Sequence, residues 1–164
     1  MDNLLIAAIF TGLFFIGIFV LKFLFVKMFM NRKTYEKRED FLTAAELEFM
    51  RVLTEAAGEK FHVMCKVRIA DLLKVREGIG GKHYMRASSR IQCKHVDFVL
   101  CEKEAYAPMA VIELDDSSHE LEERKERDEF VDEAMADAGL KIIHVPVQQI
   151  YSLPELKKII KAIK

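Results

Sequence analysis

HVDFVL, His95 to Leu100, and VIELDD, Val111 to Asp116, each carry a carboxylate inside an otherwise apolar run. Carboxylates are among the side chains least often buried, so one that interrupts a β-branched and aromatic strand needs a cation, a hydrogen-bonding partner or a wet edge. Taken as two strands of a hairpin with Glu102 to Pro108 as the loop, the segments pair Cys101 with Met109, Val99 with Val111 and Asp97 with Glu113. Directly opposed residues of an antiparallel pair have Cβ atoms roughly 4.5 to 5.5 Å apart, and two negative charges at that distance repel. A divalent cation would relieve the repulsion. Mg²⁺ takes oxygen ligands and is held by one or two carboxylates, with water and phosphate completing its shell. Asp115 points to the same side of its strand as Glu113. Three other arrangements stay open: one acid at a wet sheet edge, pairing of the acids with Lys66, Arg68 or Lys94, and a one-residue slip that turns one acid to the opposite face.

The rest of the chain divides at its N-terminal end. With 164 residues, 51% of them hydrophobic, there is material for one compact domain and an appendage. From Leu4 to Leu21 no charge occurs, and FLFVKMFM after Lys22 prolongs the run enough to cross roughly 30 Å of hydrocarbon. The start, Met1 Asp2 Asn3, lacks a basic region and no small-residue cleavage site follows, so a retained anchor is expected rather than a cleaved signal. Lys22, Lys27, Arg32, Lys33, Lys37 and Arg38 crowd the C-terminal flank, which places the remainder of the chain in the cytoplasm and the N-terminus outside. The expected organisation is a transmembrane anchor over residues 4–30, a juxtamembrane linker over 31–41 and a domain over 42–164. Cys65, Cys93 and Cys101 show neither CxxC spacing nor an even count, and read as reduced, packed thiols.

Within that domain, Thr43 and Glu46 have the spacing of a capping box, opening a helix that ends near Gly58. Phe61 to Ile69 alternates as a strand. Between Lys66 and Lys94 stand eight lysines and arginines against Asp71 and Glu77, around Gly78, Gly80, Gly81, Ser88 and Ser89, and this reads as a mobile basic loop. Glu120 to Ala138 has the composition of an acidic, solvated helix, closed by Gly139. KIIHVPV, Lys141 to Val147, follows as a strand, and Ser152, Pro154 and Glu155 open a last capped helix. The sum is an α/β domain of order α-β-β-β-α-β-α, with a mixed sheet flanked by helices.

This order, with HVDFVL, then VIELDDSSH, then a helix carrying Arg127 and Asp128, resembles the PD-(D/E)xK nuclease superfamily, and more closely the very-short-patch-repair endonucleases. The octet IELDDSSH, Ile112 to His119, and AGLKII, Ala138 to Ile143, are similar to a bacterial domain-of-unknown-function family, number 2726, whose members are often tethered to the membrane. The resemblance implies a restriction-endonuclease-like fold and a site in which Asp97 and Glu113 hold Mg²⁺ or Mn²⁺. It makes Glu46 a supporting glutamate from the first helix, and His119 a proton carrier with a suitably near-neutral pKa. The superfamily's lysine, two residues after the second acid, is replaced by Asp115, leaving Lys66 or Lys94 to reach in from a neighbouring strand.

The activity implied is metal-assisted hydrolysis of nucleic-acid phosphodiesters at the inner membrane. Arg76, Lys82, Arg86, Arg90 and Lys94 would hold the phosphate backbone, contacts that carry no base information. Tyr84 would either stack on a base or pack locally. Two alternatives keep the fold without the chemistry: an inactive nuclease-fold binding or scaffold module, and a basic clamp for anionic lipid headgroups.

Overall fold

The computed structural model describes residues 2–30, 34–115 and 122–163. The chain forms two units, Met1–Phe41 and Leu42–Lys164. The first contains α1, Asp2–Met30, whose 29 residues extend about 43 Å at 1.5 Å each, long and apolar enough to cross a membrane. Its one hydroxyl, on Thr11, donates to the Ala7 carbonyl at 2.7 Å and so is satisfied within the helix.

The second unit is a four-stranded mixed sheet with helices on it. In chain order come α2 (Ala44–Ala57), β1 (Phe61–Arg68), α3 (Ile69–Leu72), α4 (Gly81–Gln92), β2 (His95–Glu102), β3 (Pro108–Asp115), α5 (Glu122–Ala138), β4 (Lys141–Pro146) and α6 (Leu153–Lys161). The strands lie in the order β1-β2-β3-β4; the first two pairings are antiparallel, and β3 pairs with β4 in parallel after the crossover through α5.

Local chemistry sets the helix ends. Thr43 Oγ1 accepts from the Glu46 N–H at 3.3 Å while Glu46 Oε2 accepts from the Thr43 N–H at 2.8 Å, completing the expected capping box. Gly58, at φ +51°, ends α2 in a conformation other residues rarely adopt. At α6 the expectation is corrected in part: Ser152 occupies the N-cap but its side chain makes no capping bond.

Both faces of the central strands are covered, which is why HVDFVL is apolar at consecutive positions. Phe98, Leu100, Ala110 and Ile112 pack under α2 and α6 with Phe49, Leu53, Leu156 and Ile160. Val99, Cys101 and Val111 pack with Val131 and Met135 of α5 and with Ile69 and Ile91. Phe49 is fully buried between the rings of Phe98 and Tyr151, at centroid distances of 5.3 and 4.8 Å. Phe49→Ala is expected to destabilise this unit by about 3–5 kcal/mol, read as a lowered denaturant midpoint at unchanged slope.

Two expectations are corrected here. The basic stretch is not a loop but carries α3 and α4, because Ile69 and Ile91 dock into the second core and hold short helices that the flanking glycines obscure. The hairpin register holds at Val99 and Val111 but shifts between Leu100 and Cys101, so Cys101 pairs with Pro108 instead of Met109. Proline has no N–H to give to the ladder, and a bulge accommodates it.

Candidate functional site

The pairs Phe98↔Ile112 and Glu113↔His144, with Cys65↔Phe98 and Val67↔Val96 on the other side, set out one row across the sheet. Continued by one residue, those registers place Lys66, Asp97, Glu113 and His144 side by side. Each strand contributes one ionisable residue, between rows that are apolar. Regular β2–β3 pairing stops at Phe98, and there the Asp97 side chain replaces the ladder: its Oδ2 accepts from the Leu114 N–H at 3.1 Å.

Lys66 sits at φ +53°, a left-handed conformation that costs a non-glycine residue roughly 1–2 kcal/mol. The kink delivers its ammonium to Glu46 Oε1, a very close contact, and to Asp97 Oδ1 at 3.3 Å. Partial burial opposes the charge on Lys66, yet the hydrogen bond it donates to Glu46 and the charges of Asp97 and Glu46 outweigh it and raise its pKa. Glu46 thus serves two partners at once, capping α2 with one oxygen and holding Lys66 with the other. Of the basic residues considered as partners for the acids, only Lys66 takes this role among the described residues. Arg68 pairs with Asp71 at 2.6 Å, and the Lys94 ammonium lies 5.4 Å from the centre of the Phe130 ring.

Glu113 is the most perturbed group of the site. Burial, then the charge of Asp97 and a hydrogen bond shared with its side chain, push the Glu113 pKa up to about 8, against a smaller opposing pull from Arg127. At neutral pH the two carboxyls therefore hold a proton between them. Like charges so close cannot both ionise without a compensating cation. Such a pair is a hard oxygen donor set suited to Mg²⁺ or Mn²⁺ when water and phosphate supply the remaining ligands. Among the described residues, no group of three or more His, Cys, Asp and Glu side chains is arranged to hold a metal by itself.

Asp115 borders the same cavity as Glu113 but is engaged by a histidine. It accepts from His144 Nδ1 at 3.0 and 3.1 Å, while Asp132 of α5 receives His144 Nε2 at 3.0 Å. Burial disfavours the imidazolium, but the two hydrogen bonds and the charges of Asp115 and Asp132 prevail and raise the His144 pKa. A cavity of about 120 Å³ is lined by Asp97, Glu113, Asp115, Arg127, Asp132 and His144 among others. Sequence reasoning passed over His144 and Asp132. The criterion that singled out Asp97, an ionisable residue inside an apolar strand, applies equally to the histidine of KIIHVPV. His119 and Asp116 lie outside the described residues.

The five basic residues read as a backbone clamp divide. Lys82, Arg86 and Arg90 recur at four-residue spacing along one exposed face of α4. The Arg90 guanidinium also stacks on Phe130 at 3.8 Å. Arg76 is turned to the Asp137 carbonyl of α5, 3.0 Å away. Tyr84 is half-exposed on α4. The cysteines are all free.

A family model described as "Protein of unknown function (DUF2726)" matches residues 38–163. No curated protein and no solved structure matches the chain.

Proposed function

We propose, from the premise that this chain belongs to the DUF2726 family, that it is a nuclease-like protein of the PD-(D/E)xK type, related to the very-short-patch-repair endonucleases. In this reading it hydrolyses nucleic-acid phosphodiesters with Mg²⁺ or Mn²⁺, on a restriction-endonuclease-like fold. α1 anchors it in the inner membrane, with the N-terminus outside and the domain at the cytoplasmic face. The supporting observation is the Asp97–Glu113 pair, two acids on adjacent strands that line one cavity at the end of a regular ladder.

In this reading Asp97 and Glu113 hold the cation, which when bound neutralises the pair and polarises a phosphate oxygen. Lys66 supplies the ammonium that the PD-(D/E)xK superfamily's usual lysine would bring, since Asp115 stands at that position. Glu46 fixes the direction of Lys66. His144, oriented by Asp115 and Asp132, donates a proton to the leaving oxygen. His144→Gln is expected to lower cleavage by about 10²-fold and to remove the alkaline limb of the pH–rate profile. Because its folded pKa is raised, the His144 tie stabilises fully below pH 6.5 and is lost as pH rises through the higher folded value.

Incubating the full chain, in an uncharged detergent, with labelled DNA and RNA tests the reading directly. Cleavage that requires Mg²⁺ or Mn²⁺ and stops with a chelator is expected; no cleavage of either polymer would overturn it. The second reading, an inactive binding or scaffold module at the membrane, draws on the engagement of Asp97 Oδ1 by Lys66. It predicts nucleic-acid binding that is indifferent to metal.

A further inference from the structure

We infer that a second cavity, of about 410 Å³, lined by Lys66, Cys93, Lys94, His95, Asp97 and Arg127, binds the phosphate groups of a nucleic-acid strand, with Arg127 and Lys94 as its principal cations. The inference deepens the hydrolytic reading and rests on it for the identity of the ligand. The lining holds two lysines, an arginine, a histidine and a cysteine against one carboxylate, without a hydrocarbon side chain. Lys66 is already neutralised by Glu46 and Asp97. Among the described side chains no ion pair engages Lys94 or Arg127, although the Arg127 charge also acts on Glu113. Arg127 offers a planar fork of donors matched to a phosphate oxyanion, and Lys94 a mobile point charge.

Position adds to composition. Asp97 and Arg127 line this cavity and also the smaller one that contains Glu113, so a phosphate seated here borders the carboxylate pair without displacing it. On the other side the cavity joins a path of cations. Phe130 carries Lys94 at 5.4 Å and Arg90 at 3.8 Å from its ring centre, linking the cavity to the exposed row of Lys82, Arg86 and Arg90 on α4. A linear polyanion can follow such a path, with each contact releasing counterions and none reading a base. Neither Arg127 nor His95 stood out in the sequence as a binding residue, because they reach the cavity from α5 and from the first position of β2.

The test uses the full chain in nanodiscs of zwitterionic lipid, a chelator to prevent hydrolysis, and a fluorescent oligonucleotide, single-stranded and as a duplex, titrated by anisotropy over a salt series. Saturable binding is expected. Arg127→Gln and Lys94→Gln should each weaken it about tenfold and lower the salt slope by about 0.7 to 0.9. Lys157→Gln on α6 should change neither, and Arg127→Lys should bind more tightly than Arg127→Gln, which separates loss of charge from loss of fold. Wild-type affinity in both glutamine variants, or no saturable binding of either oligonucleotide, would overturn the inference. So would binding to phosphatidylglycerol vesicles that both variants lose while their oligonucleotide affinity stays unchanged. Binding with the expected losses but no cleavage in Mn²⁺ keeps this site and removes the hydrolytic reading. Cleavage by Arg127→Gln and Lys94→Gln at wild-type affinity does the reverse.

Discussion

Glu113→Gln is expected to stabilise the protein above pH 8 and to change little below pH 5. In the unfolded chain this carboxyl titrates near 4.5, and in the folded protein at about 8, raised first by burial and then by Asp97. Between those values the native state holds a proton that the unfolded state has released, so stability falls as pH rises, by about 1.4 kcal/mol per pH unit. A glutamine keeps a neutral hydrogen-bonding head beside Asp97 and cannot ionise. The difference in melting temperature between the two proteins should therefore be near zero at pH 5, open through neutrality and level off past pH 8. His144 and Lys66 are common to both proteins and cancel in that difference. Parallel curves would show that Glu113 is already ionised in the native state, and the shared proton would be gone from the account.

Asp97→Asn should abolish metal-dependent cleavage, by about 10³-fold or more, the scale of removing a preorganised group at a reacting centre. The change is mild structurally. The amide oxygen still accepts from the Leu114 N–H, and Lys66 keeps its contact with Glu46. The charge is removed together with the Lys66 contact, and with the charge goes the second cause of the Glu113 shift, so Glu113 should titrate lower while burial still holds it above the ordinary range. The same melting series reads that movement as a narrower pH window of destabilisation. Asp97→Ala should also cost about 1–3 kcal/mol, because it leaves the Leu114 N–H without its acceptor. Cleavage by Asp97→Asn at the wild-type rate would exclude this carboxylate from the chemistry.

The parts of the fold legible in the sequence are those set by local chemistry. Thr43 and Glu46 cap α2 through contacts three residues apart, Gly58 ends that helix, and the hairpin joining HVDFVL to VIELDD pairs Val99 with Val111. α3 and α4 were not legible, since their stability comes from Ile69 and Ile91 entering a core built by distant residues, while the nearby glycines signal a turn. The bulge beside Cys101 depends on Pro108 lacking an N–H at a ladder position, which a simple two-strand register ignores. The carboxylate pair follows from a register of adjacent strands, and was therefore readable. Asp115 illustrates the opposite case: its partner His144 lies on β4, brought alongside by the crossover through α5, so spacing along the chain gave no sign of the contact. Lys66 is similar. Its reach toward Asp97 and Glu46 requires a left-handed backbone at a residue type that seldom adopts one.

Calorimetric titration of Mn²⁺ into the full chain with an oligonucleotide present, repeated in buffers of different ionisation enthalpy at pH 7, bears most directly on the shared proton of Asp97 and Glu113. A cation that replaces that proton should bind saturably, release close to one proton per ion, and bind about tenfold more tightly for each pH unit gained below 8. Glu113→Gln should lose the proton release. Saturable binding with no proton released, or none at all in the presence of nucleic acid, would contradict the site.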